Sequence, residues 1–567
     1  MKNNCLLKGG LLAMAFQFSA WGAEIDWLSR ASAFIQKHEA VIRPLEKQAN
    51  LAWWDANITG KDEDFKKKEE SQNKIDAILS DRKSFSEIEA IKKDGQVADK
   101  LLKRQIDLVY LAYLEKQVDP SLLKKIVAKA NSVEKAFNVF RAKVEGQELT
   151  ENQVRKTLKE VRDSSQLQKT WEASKEVGSI VEKELKELVE LRNQAARKLG
   201  FPHYHEMMLV LQEQSGQSVL KLFDELDSLT QEPFKAAKSD IDKRLAKALG
   251  IKVDELRPWH YRDPFFQESP SVFEADLDSV YATTDILQLS RNFYSGIGLP
   301  IEDVIARSDL YEKKGKSPHA FCTDIDREGD VRVLANLVPN EYWIETLLHE
   351  LGHAVYSSKN IPKTLPYLLR SESHILTTEG IAMMFGRLSK NIHWMQETGI
   401  APKKAVARKK IGQAASQILR NQLLVFSRWC QVMLRFERAM YENPAQDLNK
   451  RWWDLVERYQ LIKRPELRNK PDYASKIHLV SAPVYYHNYM MGELFASQLH
   501  HAITSKLFSK QKPSRVTYVG DKRVGDYLKT QVFGPGRTLG WNELTRYSTG
   551  EELNARAFAE DFSERLK

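Results

Sequence analysis

The sequence predicts a predominantly α-helical protein built as one large body, with a single β-hairpin set into it. Three observations lead there. Apolar residues recur at helical spacing from Ala23 to about Gly250. No Pro-, Gly- or Ser-rich linker and no fixed-period repeat divides the 567 residues, although length alone would allow roughly two to four domains. One segment, between His319 and Val338, alternates as strands do.

At the start, MKNNCLLKGGLLAMAFQFSAWGAEIDW carries the three parts of an export signal. Lys2 and Lys8 give a positive start, Gly9 to Ala20 an apolar run, and Ala20 and Gly22 small residues for cleavage before Ala23. Residues 1–22 are therefore expected to leave, with 23–567 remaining as one domain, periplasmic or secreted, in a host expected to be bacterial. The run is too short to span a bilayer, and no later segment reaches about 18 uninterrupted apolar residues, so no membrane span is expected. Of three cysteines, Cys5 would go with the signal. Cys322 and Cys430 remain, paired or free, too few for a disulfide scaffold. Asn57-Ile58-Thr59 matches a glycosylation acceptor, without meaning in a bacterial host.

The composition, 42% hydrophobic and 29% charged, is that of a globular chain. The formal charge of +9 is spread, with Asp and Glu interleaved among Lys and Arg. No long basic block marks a nucleic-acid surface, so no nucleic-acid partner is expected.

Next come the helices. In SIVEKELKELVELRNQAARKLG, Ser179 and Glu182 read as a capping box, Val181, Leu185 and Leu188 recur at helical spacing, and Gly200 with Pro202 stops the run. Leu101–Lys116, Leu122–Val144 and Val219–Leu249 read as further amphipathic helices with solvated Glu/Lys faces. Then the pattern breaks. His319–Ile325 and Val331–Val338 flank Asp326-Arg327-Glu328-Gly329-Asp330 as a hairpin, the one clear hairpin in the chain. A small sheet of this kind offers an edge to an extended peptide.

Asn340 is a good N-cap for the helix expected from Glu341 onward. ETLLHELGHAVY, Glu345 to Tyr356, reads as a buried helix that nevertheless carries His349, Glu350 and His353. Two imidazoles and a carboxylate on an apolar stripe cost free energy unless something satisfies them. Positions i and i+4 share a helix face, so His349 and His353 aim at one point, the spacing two Zn²⁺ ligands need, with Glu350 beside them as a proton acceptor. The extended HExxHxxGxxH form fails, because Tyr356 and Lys359 stand at its Gly and last His. A downstream carboxylate is the alternative: Glu372 in RSESH or Glu379 in TTEGIAMMFGRL. Glu379 is preferred, because Thr377-Thr378 can cap a helix that it would open, whereas Glu372 lies in a polar loop. Further on, Tyr486 and Tyr489 are three apart before an apolar helix, with Lys476 and His478 ahead of them. Such a cluster can donate several hydrogen bonds to anionic oxygens.

Four stretches carry a family resemblance: LAWWDANIT (Leu51–Thr59), PHAFC (Pro318–Cys322), HELGH with LLRSES and TTEG, and KIHLVSAPVYYHNYMMGELFASQLHHAI. With them the chain resembles the angiotensin-converting-enzyme family of peptidyl-dipeptidases, which are gluzincins, and more distantly the thimet-type oligopeptidases. The resemblance implies an all-α ellipsoid split by a deep central cleft, with the small sheet beside one Zn²⁺. It implies that His349, His353 and Glu379 bind the metal and that Glu350 is general base and then acid. Tyr489 and His478 would stabilise the oxyanion, and His319 and Ala320 would hold the substrate backbone. Lys476 and Tyr486, with Gln267 from WHYRDPFFQ, would bind the terminal carboxylate, and Glu372 would line the cleft. Substrates would be oligopeptides losing C-terminal dipeptides. The alternatives are internal cleavage, single-residue carboxypeptidase action, or zinc and peptide binding without catalysis, which would leave Glu350 without a purpose.

The chain also departs from that family. His487 follows Tyr486 where an arginine associated with chloride binding would be expected, so chloride stays a doubtful second cofactor. Met383 stands where an acidic partner for a zinc histidine would be expected. One extra residue separates His478 from the tyrosines.

Overall fold

The computed structural model describes residues 26–272 and 276–562. The expected signal, residues 1–22, lies outside the described residues. The chain is predominantly helical, and its early helices are set by their first residues. They are α1 (Trp27–Thr59), α2 (Asp62–Leu79), α3 (Arg82–Asp94), α4 (Lys100–Glu115) and α5 (Pro120–Val139). Asp26, Asp81, Asp99 and Asp119 each accept a backbone N–H of the following first turn, which satisfies donors a helix start leaves unpaired.

The helix expected over 122–144 ends at Val139 instead. The chain turns into a second hairpin, β1 (Ala142–Val144) against β2 (Gln147–Leu149). Glu145 (φ 51) and Gly146 (φ 83) form its two-residue turn, in which both central residues need positive φ. The described residues thus hold two hairpins rather than one. After α6 (Glu151–Glu160), α7 runs unbroken over Ser164–Lys198, capped by Asp163. The Ser179–Glu182 box therefore lies mid-helix. The buried stripe of Leu167, Trp171, Val177 and Val181 continues through it, and packing outweighs the local capping signal. Then come α8 (Tyr204–Leu211), α9 (Gly216–Leu249), α10 (Asp278–Tyr281), α11 (Ile286–Gly296) and α12 (Glu302–Ile305).

The expected hairpin is present with shorter strands, β3 (Phe321–Asp324) and β4 (Val331–Leu334), paired antiparallel with Cys322 opposite Val333. Asp309 covers the far edge of β4 through bonds to Val333 and Ala335, while no described strand pairs with the other edge of β3. Asn340 then caps α13 (Glu341–Val355), its side chain accepting the Trp343 N–H at 2.8 Å. The remaining helices are α14 (Ile375–Gly386), α15 (Ile392–Glu397), α16 (Ala405–Glu442), α17 (Leu448–Leu455), α18 (His478–Ser481), α19 (Tyr486–Leu507), α20 (Lys522–Leu528), α21 (Trp541–Thr549) and α22 (Arg556–Glu560).

One contiguous apolar cluster runs from Val133 to Phe562 and includes Leu347, Leu348, Ile381, Phe385, Leu494 and Phe495. A smaller one joins α1, α3 and α4 around Phe34, Ile88 and Tyr113. In the larger cluster α13, α14 and α19 touch at backbone distance. A Cβ on Gly352 would lie 2.7 Å from the Cα of Ala382, and one on Gly492 would lie 3.0 Å from the Cβ of Glu379. Glycine is required at both contacts because any side chain there would push two helices apart.

Candidate active site

On α13, His349 and His353 are one helical turn apart, and their Nε2 atoms converge to 3.2 Å. Glu379 on α14 brings Oε2 to 3.6 Å from Nε2 of His349 and 3.9 Å from Nε2 of His353. All three donor atoms lie within 4.8 Å of one another. Three ligands bonded tetrahedrally to zinc at about 2.1 Å would stand roughly 3.4 Å apart. The residues fit that ion. Burial keeps both imidazoles neutral, His349 at about 4 and His353 well below its usual value, and a metal ligand must be unprotonated. Burial, and then the Glu493 carboxylate, push the Glu379 carboxyl up to about 7. Two imidazole lone pairs and a carboxylate converge on one point, the donor set that a divalent ion takes.

Glu379 stands in the second turn of α14, not its first. The helix begins at Ile375 under His374 as N-cap, whose Nδ1 accepts from Leu376 N at 3.1 Å, while the Thr377 hydroxyl completes the capping box by accepting the His374 N–H at 3.2 Å. Thr378 has a different partner. Its Oγ1 lies 2.7 Å from Nδ1 of His353 and accepts the ring N–H when the Nε2 lone pair faces the cluster. This hydroxyl fixes the ring in the way expected of an acidic residue at Met383. Sequence reading missed Thr378. Its only signal is its place one residue before Glu379.

Glu350 is 8% exposed. Burial, and then Glu379, push its carboxyl up to about 8, while the backbone N–H of Cys322 on β3 pulls the other way. The base candidate therefore sits where β3 meets α13. Glu372 lies in the loop before α14, its carboxyl raised by burial and by Asp324, and it shares the surroundings of Cys322. It is not part of the metal cluster. His319 is exposed just ahead of β3, and Ala320 packs against the core. Cys322 and Cys430 are unpaired.

A second group gathers around Lys476. Its Nζ donates to Oε1 of Gln267 at 2.6 Å, and the Tyr486 hydroxyl reaches the same oxygen at 3.5 Å. Asp263 holds the Gln267 loop by accepting the N–H of Phe265 and of Gln267, each at 2.9 Å. The ammonium lies 5.2 Å from the ring centres of Phe265 and Trp429 and 5.4 Å from that of Tyr486. Burial lowers it to about 8, with the Asp263 carboxylate opposing the shift. Tyr486 stands between the two groups, its ring 5.7 Å from Tyr489 and 5.2 Å from His478. Nδ1 of His478 is buried without a partner among the described residues, and Tyr489 lies in the field of Glu379. His487 is held neutral by burial, at about 3, and bonds Gln214 at 2.6 Å within an amide network with Asn488 and Gln212. A cavity of about 520 Å³ lies elsewhere, beside Phe140, Arg141 and Ile180, and includes none of these groups.

Three convergent donor atoms, a buried carboxylate and hydroxyls on α19 are compatible with a metal centre in a helical body. Comparison with known proteins agrees. Residues 149–564 match the family described as Peptidase family M3, which is well over half of the chain and spans the whole cluster. The chain belongs to peptidase family M3. Residues 26–234 match the family described as Angiotensin-converting enzyme. The chain is also similar to the angiotensin-converting enzyme of Theromyzon tessulatum, 22% identical over 288 residues, or 48% of this chain and 45% of that protein. It thus spans less than half the length of that relative. Both resemblances read from the motifs are found, with the M3 likeness covering the larger share.

Proposed function

We propose that the protein is an exported, zinc-dependent metallopeptidase that removes dipeptides from the C-termini of oligopeptides. One observation carries this reading. A buried lysine bonded to Gln267, whose oxygen the Tyr486 hydroxyl also reaches, stands one ring away from Tyr489, which lies in the field of Glu379. A fixed cation at a set remove from the scissile bond selects a free C-terminal carboxylate. Export rests on the signal pattern of residues 1–22, and no helix among the described residues is long and apolar enough to cross a membrane.

His349, His353 and Glu379 would hold the zinc, which when bound supplies a Lewis acid for the scissile carbonyl and activates water. The chain's own groups do the rest. The open edge of β3, entered at His319 and Ala320, pairs with the extended substrate backbone, and Glu372 lines its path. Glu350 takes the proton of the attacking water and returns it to the departing amine. Tyr489 and His478 donate to the carbonyl oxygen as negative charge develops. Lys476, Tyr486 and Gln267 bind the terminal carboxylate.

A second reading, internal cleavage by an oligopeptidase, is favoured by the broader M3 match. Mass spectrometry of the products from one unblocked decapeptide and its C-terminal amide separates the two. Dipeptides from the free peptide alone support the proposal. Internal fragments from both, or single residues, overturn it.

A further inference from the structure

Between His478 and α19 the backbone makes one strained step. Val484 has φ 54, which a β-branched side chain adopts only where its surroundings enforce it. They do so from both sides. Its N–H donates to Oε1 of the buried Glu437 on α16 at 2.8 Å, and its carbonyl accepts from Nε2 of Gln212 at 3.0 Å. Arg192 anchors the same stretch through the carbonyls of Leu479 (2.9 Å) and Val480 (2.7 Å).

The step delivers Tyr485. This residue is the N-cap of α19 but makes no side-chain capping bond, so its hydroxyl is not used by the helix end. It stands four positions before Tyr489, where side chains meet on one helix face. The two rings are 5.2 Å apart and nearly perpendicular, at 79°. The two phenols act on one another at this separation, and both lie in the field of Glu379.

We propose that Tyr485 is a positioning residue for Tyr489, holding the Tyr489 phenol by its oxygen so that its own proton points at the developing oxyanion. Each phenol has one proton. Tyr485 uses its proton on Tyr489, which leaves that of Tyr489 for the substrate and polarises it. Strain at Val484 keeps the first ring where it can do this. The proposal rests on the peptidase reading, in which Tyr489 serves the oxyanion.

A double-mutant cycle in the full, zinc-loaded chain tests it: Tyr485→Phe, Tyr489→Phe and the pair, with kcat and KM on an unblocked peptide. Phe retains the ring and its packing. Tyr485→Phe should lower kcat roughly tenfold with little change in KM, and should cost nothing further beside Tyr489→Phe. Tyr485→Leu should likewise add no loss in that background. An equal loss in both backgrounds means that Tyr485 acts independently of Tyr489 and overturns the proposal alone. No loss from Tyr485→Phe in the otherwise unchanged enzyme does the same. If Tyr489→Phe is itself without effect, the oxyanion assignment and this proposal fail together.

Discussion

Replacing Lys476 by Met tests how this site chooses its substrates. The side chain is 6% exposed, ringed by Phe265, Trp429 and Tyr486, and holds Gln267 at 2.6 Å. Met keeps the length and the packing and removes the charge. In surroundings this dry, loss of one partner of a hydrogen-bonded charge pair costs about 2–5 kcal/mol. At about 1.4 kcal/mol per tenfold, a cost near 3 kcal/mol is roughly a hundredfold in kcat/KM. The assay compares a free peptide with its C-terminal amide. The unaltered enzyme should prefer the free peptide about a hundredfold, and Lys476→Met should abolish that preference while leaving the amide nearly unaffected. The preference should also depend on pH. Burial favours the neutral amine and brings the group down to about 8, so the cation is present below that pH and lost above it. The free peptide should therefore lose kcat/KM as pH rises through about 8, and the amide should lack that limb. Equal losses on both peptides would refute the reasoning.

Tyr489→Phe should lower kcat by about 10²–10³ with zinc retained, as steady-state kinetics and metal analysis would show, and unchanged turnover would remove Tyr489 from the reaction. Thr378→Val removes the acceptor 2.7 Å from Nδ1 of His353 and should weaken zinc binding about 10- to 100-fold in chelator competition; an unchanged affinity would dismiss that contact. Gly352→Ala forces a methyl to within 2.7 Å of Ala382 and should destabilise the fold by about 1–3 kcal/mol in denaturant unfolding, whereas wild-type stability would mean that α13 and α14 can part without cost.

Much of this was legible in the sequence wherever chemistry is local. Asn340 caps α13 because an amide side chain before an apolar periodic run satisfies the first turn, and the hairpin around Asp326–Asp330 follows from its alternation and turn residues. The errors have one cause. Ser179 reads as a cap and lies mid-helix, and Leu122–Val144 reads as one helix yet stops at Val139 and enters the strand that turns at Glu145-Gly146. In each case a short local signal pointed one way, and packing or turn geometry over a longer stretch decided otherwise.

The sequence by itself determined the pair of histidines and the carboxylate beside them. Helical periodicity is a property of consecutive residues, and it places His349 and His353 on one face whatever surrounds them. Only the tertiary structure decided what meets that pair. Gln267 reaches Lys476 across 209 positions, Thr378 takes the role expected at Met383, and Tyr485 faces Tyr489 because Glu437 and Gln212 hold Val484 in a conformation it would not choose. The meeting of Thr378 with His353 depends on α13 and α14 packing at glycine distance, and no periodicity in the chain encodes which distant side chain fills the space so formed.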